Sequence, residues 1–271
     1  MYHKVLKNVK DNPALVHCIT NYVTVNDVAN IVLACGGSPI MADDKQEVED
    51  ITQICSSLVI NIGTLNERTI DSMVLAGKRA NELGHPVVFD PVGAGASVFR
   101  TQTAKILLKE VRFSVIRGNI SEIKALCVGT GTSMGVDANE ADTVTEENMA
   151  DIIAMACEFS KKTGAVIAIT GAMDLIVDGK RAYAIYNGDA MMARITGTGC
   201  MLDGVIGGFV GSNPKHILEA VVTAVSAMGL CGQAARKRCH GTSSFRMHLI
   251  DEMSSLTEEK MERGNQIERK S

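Results

Sequence analysis

The stretch RITGTGCMLDGVIGGFVG, residues 194–211, divides the chain into two kinds of sequence. Before it, short β-branched runs alternate with helical patterns; after it, the apolar residues follow helical spacing only. We read strands at 14–20, 38–41, 57–63, 86–90, 113–118, 165–170, 174–178 and 181–186. Strands alternating with helices are the mark of βαβ units and a mostly parallel sheet. The last two runs are joined by Asp178, Gly179 and Lys180, a hairpin signal that makes this part antiparallel. Beyond Gly199, Ser212, Asn213 and Pro214 predict the cap and first turn of a helix that is apolar nearly all round, and so deeply buried. The expected fold is α/β with a mostly parallel sheet. With no repeat and no linker, 1–271 reads as a single domain, and the charged residues 257–271 as a polar tail with frayed last residues.

Composition removes several classes of function. A formal net charge of −4 with interspersed signs offers no basic face for nucleic acid. The N-terminus is too polar for a signal peptide, and no apolar run reaches the ~18 residues of a membrane span. Eight cysteines without a C-x-x-C pair, mostly inside apolar runs, indicate reduced thiols and a cytoplasmic protein. His17, on a strand, reads as a satisfied core residue.

The glycine turn at 197–200 has a chemical reading. Backbone N–H groups of Gly197, Thr198, Gly199 and Cys200 at a helix start lack intrahelical partners and converge on one spot, which suits an anion. Cys200 adds a thiol at a position that favours thiolate chemistry. The simpler alternative is a tight turn packed on the sheet. No Walker A pattern occurs, and the first strand runs into TNYVTVNDVAN without a Rossmann glycine turn, so phosphate binding needs another architecture and a nicotinamide enzyme is disfavoured.

Two further groups lie at predicted strand ends, where α/β sheets carry function. VVFDPVGAGAS places Asp90 before the turn Gly93–Gly95, and VIRGNISEIKAL places Arg117 before Asn119 and Glu122. Asp90, Asn119 and Glu122 suit a hydrated magnesium ion, and Arg117 a nucleotide phosphate. The competing reading makes Asn119 an N-cap, Glu122 its capping-box partner and Asp90 a turn residue. The Gly/Thr-rich segment 128–148 has the glycines of a second phosphate loop, but its composition reads better as a mobile surface connection.

ITNYVTVNDVAN, SPIMADD, FDPVGAGAS, IRGNISEI, AITGAMD and ITGTGCMLDGVIGGF together resemble the hydroxyethylthiazole kinase family of the ribokinase-like superfamily, from about Asn12 to Leu256. The resemblance implies a three-layer αβα sandwich that phosphorylates the alcohol of 4-methyl-5-(2-hydroxyethyl)thiazole with ATP and Mg2+ in thiamine salvage, as a homotrimer. It further implies Met41 and Gly197 against the thiazole, with Asn21 and Val23 lining the pocket, and Arg117 and Thr170 against ATP. Cys200 stands where many ribokinase-like sugar kinases have an aspartate base, so a weak base or positioning group is expected there. Three alternatives remain at this level: a related kinase such as a hydroxymethylpyrimidine kinase, a thiol hydrolase built on Cys200, and a nucleotide-binding regulator without turnover.

Overall fold

The structure, a computed structural model, describes residues 2–129 and 143–271; most of the 128–148 connection falls outside the described residues. Among the described residues, nine strands form one sheet in the order β2-β1-β3-β4-β5-β6-β7-β8-β9. They are β1 (Leu15–Ile19), β2 (Ser38–Ile40), β3 (Ser57–Asn61), β4 (Val87–Asp90), β5 (Val115–Gly118), β6 (Val166–Ile169), β7 (Asp174–Val177), β8 (Ala182–Ile185) and β9 (Ile267–Arg269). The first six run parallel to one another, and the last three are added antiparallel. All eight strands expected from sequence are present, including the hairpin.

Side chains alternate across the sheet into two cores. Val16, Val59 and Val88 join one, whereas Leu58, Ile60 and Phe89 join the other, so continuous apolar runs such as SLVIN are buried on both faces. The first core is covered by α1 (Tyr2–Asp11), α2 (Val25–Ala34), α8 (Thr198–Ser212), α9 (Ile217–Arg238), α10 (Thr242–Ser254) and α11 (Glu258–Gly264). The second is covered by α3 (Val48–Ile54), α4 (Glu67–Leu83), α5 (Val98–Glu110), α6 (Ile120–Gly129) and α7 (Met149–Thr163). The result is the expected three-layer αβα sandwich.

The glycines of α8 let this helix lie directly on the sheet. A Cβ at Gly207 would sit 2.7 Å from the Val59 side chain, and Ser57 Oγ donates to the Gly207 carbonyl at 2.8 Å. Helix and strands are thereby fixed in depth as well as direction. α9 is long and apolar enough to cross a membrane by length and composition, contrary to the expectation from sequence, but most of it lies inside the molecule against α8 and α10.

Two further expectations from the sequence are corrected. Ser212 ends α8 rather than opening α9, and Asn213 closes α8 by donating its amide to the carbonyls of Phe209 (2.9 Å) and Val5 (3.3 Å). α9 starts at Ile217 without a side-chain cap. The tail is also not frayed. α11 seats Met261 in the core, and β9 pairs with β8 at the edge of the sheet.

Candidate active site

Strands β1, β3, β4, β5 and β6 are consecutive neighbours, so their C-terminal ends form a row that carries Asn21, Asn61, Asp90, Arg117 and Thr170. The N-terminus of α8 meets this row. Gly197 is its N-cap with φ +89°, a conformation open to glycine, and a Cβ there would approach the Thr24 side chain to 2.3 Å. The turn is therefore packed onto the loop after β1. Thr198 Oγ1 donates to the Met192 carbonyl at 3.0 Å. At Gly199 a Cβ would collide with the Arg117 guanidinium at 2.6 Å. Glycine here brings the arginine and the helix start into contact.

Around Cys200 the side chains form one buried network. Arg117 Nη1 donates to Asp90 Oδ2 at 2.9 Å and lies 3.8 Å from Asp203 Oδ1, while Nη2 donates to Thr170 Oγ1 at 2.8 Å. Asn61 Nδ2 donates to Asp90 Oδ2 and Asp203 Oδ2, each at 2.9 Å, and reaches Cys200 Sγ at 3.4 Å. Asn21 Nδ2 approaches the same sulfur at 3.8 Å, and Asn21 Oδ1 accepts from Val23 N. Burial first, and then the negative charge of Asp90, hold the Asp203 carboxyl well above the usual carboxylate range, against the opposing charge of Arg117. Asp203 is thus held against Asp90 by the shared Asn61 amide, with Arg117 Nη1 within 4 Å of both carboxyl groups.

Asn119 and Glu122 form the reciprocal capping box of α6. Glu122 N donates to Asn119 Oδ1, and Asn119 N to Glu122 Oε2, both at 2.8 Å. Glu122 Oε1 also accepts from Gly93 N at 2.9 Å, tying α6 to the turn after β4. Burial, followed by the charge of Asp90, raises the Glu122 carboxyl from its ordinary value. The cap is the geometry adopted, with Glu122 still within electrostatic reach of Asp90. Among the described residues, Asp90 Oδ1 and Asp203 Oδ1 are buried without hydrogen-bond partners, and the two carboxyl groups with the Cys200 sulfur bring their ligand atoms within 4.8 Å of one another. Unpartnered hard oxygens beside a second acidic side chain are a donor set that suits magnesium.

A cavity of about 620 Å³ opens on the other side of Arg117, bounded by Thr170, Asp174, Thr198 and Gly199 and floored by Met228 of α9. Its size fits a small organic ligand. Nearer β2, His17 is fully buried as expected, with Nδ1 at 2.9 Å from Thr52 Oγ1 and Nε2 at 2.8 Å from the Ala42 carbonyl. Burial lowers its pKa, and its bond to the Ala42 carbonyl buttresses the loop carrying Met41. Tyr22 OH bonds Asp43 and accepts from Arg68 Nη2 at 3.0 Å, joining the TNYV and PIMADD segments. Met41 is half-buried, whereas Val23 is 67% exposed.

The structure thus gathers Asn21, Asp90, Arg117, Thr170 and 197–200 into one place, and sets Asn119 and Glu122 beside it. Sequence reasoning misses Asn61 and Asp203. A signal for Asp203 exists, since it follows Cys200 by three residues on one helix face.

The hydroxyethylthiazole kinase family model matches residues 6–259. A hydroxyethylthiazole kinase of Clostridium acetobutylicum is 55% identical over 265 residues, 97% of each chain. The solved hydroxyethylthiazole kinase of Pyrococcus horikoshii superposes with a TM-score of 0.90 at 34% identity, covering 100% of this chain and 99% of that one. A ribokinase-like superfamily protein from Enterococcus faecalis superposes with a TM-score of 0.65 at 14% identity over 91% and 88% of the two chains, a likeness of fold alone. Motifs, strand-end site and near-complete coverage agree: the chain belongs to the hydroxyethylthiazole kinase family.

Proposed function

We propose that this protein transfers the γ-phosphoryl group of ATP to the alcohol of 4-methyl-5-(2-hydroxyethyl)thiazole in thiamine salvage. The observation that carries this reading is the meeting of the α8 N-terminus with Cys200, Asp90 and Arg117 at the end of the cavity, in a chain of this family. The triphosphate enters along the cavity with its γ end toward the first-turn N–H groups of α8, which offset charge on the transferring group. Arg117 and Thr170 face the phosphates. The thiazole alcohol approaches from the side of Asn21, Val23, Met41 and Gly197. Cys200 lies between the two and orients the hydroxyl or accepts its proton; a loose transition state asks for little basicity.

Magnesium would be held on the Asp90 side, by the unpartnered Asp90 oxygen with Glu122, and by Asn119 to the extent that its cap is given up. When bound it offsets phosphate charge. The thiol hydrolase alternative lacks support, because the hydrogen-bond donors described around the Cys200 sulfur are the amides of Asn21 and Asn61 rather than a histidine. We further read the chain as one kinase domain acting as a homotrimer with pockets at subunit boundaries.

The test is an assay of pure protein with MgATP across thiazole, hydroxymethylpyrimidine and sugar alcohols. The thiazole monophosphate should form fastest, and should require the metal. A folded protein that makes no thiazole ester with any magnesium nucleotide overturns the reading.

A further inference from the structure

Asn61 closes β3 and is the register partner of Asp90 in the ladder with β4. Its carboxamide is buried, and every polar atom on it is committed. The two protons of Nδ2 are distributed among Asp90 Oδ2, Asp203 Oδ2 and Cys200 Sγ, at 2.9, 2.9 and 3.4 Å, and Oδ1 accepts from Gly63 N at 2.8 Å. A single side chain therefore sets the distance between the thiol and both acidic groups. Its own position is fixed from behind. A Cβ on Gly63 would lie 2.9 Å from Asn61 Oδ1 and 2.4 Å from Asn21 Nδ2, so the two amides and this backbone are in contact. Arg100 then pins the carbonyls of Ile62 and Gly63, at 2.8 and 2.7 Å, and that of Val92 after β4, at 2.8 Å.

Side chains of similar size fail these demands. An aspartate would place a third acidic side chain against Asp90 and Asp203 and remove the donor they share, and a leucine would leave two buried acidic groups and a thiol without this donor. Asn61 is also absent from the walls of the 620 Å³ cavity. It acts on the reacting end of the site and is separate from the nucleotide end.

Resting on the kinase reading above, we propose that Asn61 is a positioning residue for phosphoryl transfer, holding the Cys200 sulfur and the Asp90 carboxylate in one geometry without contributing to nucleotide affinity. Misplacing a reacting group by about 1 Å costs on the order of 100-fold in rate. Asn61→Ala should accordingly lower kcat about 100-fold while the Kd for a non-hydrolysable ATP analogue stays within about twofold. The KM for the thiazole alcohol should move far less than kcat. Asn61→Ser, which retains one hydroxyl donor, should recover part of the rate.

A second measurement reads the sulfur directly. Cys200 is only 7% exposed, held between two amides. Its alkylation by iodoacetamide without nucleotide, located by peptide mass spectrometry, should become several-fold faster in Asn61→Ala as clamp and packing are removed. Asn61→Ser should fall between this variant and the parent. If Asn61→Ala does not fold, Asn61→Ser carries both measurements. Unchanged kcat with unchanged alkylation overturns the proposal, and so does a fall in nucleotide affinity that matches the fall in kcat. A parent protein without kinase activity would sink the kinase reading instead, while the alkylation comparison still decides whether Asn61 sets the sulfur.

Discussion

Asp174 opens β7 and borders the cavity, where burial pushes its carboxyl up to about 7 against the Gly171 N–H that bonds it at 2.9 Å and the charge of Arg117. In the unfolded chain an aspartate gives up its proton near pH ~4. Between about pH 4 and about pH 7 the folded state therefore binds more protons than the unfolded one, so this residue's contribution to stability declines as pH rises through that window and levels off above it. The substitution Asp174→Asn removes the titration yet leaves an oxygen that accepts from Gly171, so this variant should gain on the parent as pH rises. Thermal melts from about pH 5 to about pH 8 check this: the Tm difference should widen toward neutrality, and parallel profiles would contradict it. Residues of this kind are hard to see in a sequence. Arg117, Asp90, Thr170 and Cys200 are legible because each ends a strand or starts a helix within a recognisable motif. Asn61 is not, and Asp203 only through its spacing from Cys200, because their importance comes from being buried against one another across 142 residues of chain.

At the scale of elements, strands buried on both faces are readable because their apolar runs need no partner to be recognised. β9 is not. Its residues Ile267, Glu268 and Arg269 carry one apolar side chain and two charges, a composition suited to an exposed edge and indistinguishable in sequence from a loose tail. What holds it is tertiary: Asn187 donates to the Gly264 carbonyl at 2.9 Å and accepts from Gln266 N at 2.8 Å, and Met261 of α11 is fully buried. The α9 cap is misplaced for a similar reason, since Asn213 satisfies α1 and α8 rather than the helix it precedes. Met261→Ala should cost about 3 kcal/mol in urea unfolding, as for other buried Met-to-Ala truncations. Deleting residues 257–271 should lower Tm further and weaken nucleotide binding, because Asn187, which lines the cavity, loses both of these backbone partners. A deletion variant that melts and binds nucleotide like the parent would show the tail to be dispensable.

For the whole molecule, the loop after β1 at the edge of the site is open to solvent in the single chain. The 620 Å³ cavity is walled by elements of one chain, yet Val23, beside Asn21, is 67% exposed, and Tyr22 is held half outside by Asp43 and Arg68. Leu33 on α2 and Met247 on α10 add exposed apolar area to two helices that pack together, with Arg246 of α10 paired to Asp27 of α2 at 3.4 Å. Exposed apolar side chains on two packed helices mark a surface that another molecule covers. We expect that molecule to be a second copy, arranged around a threefold axis so that each entrance is closed by a neighbour; closed cyclic symmetry leaves no such face open. Light scattering should then return three times the chain mass at micromolar concentration. Leu33→Glu with Met247→Glu places unpaired charge in that contact and should shift the mass toward the monomer. Because both helices belong to the layer opposite the α6 cap, and neither residue lines the 620 Å³ cavity proposed for the nucleotide, the dissociated chain should bind an ATP analogue as before while its KM for the thiazole alcohol rises. A native monomer with full activity, or a dissociated variant whose KM for the alcohol is unchanged, would mean that each chain completes its own acceptor pocket.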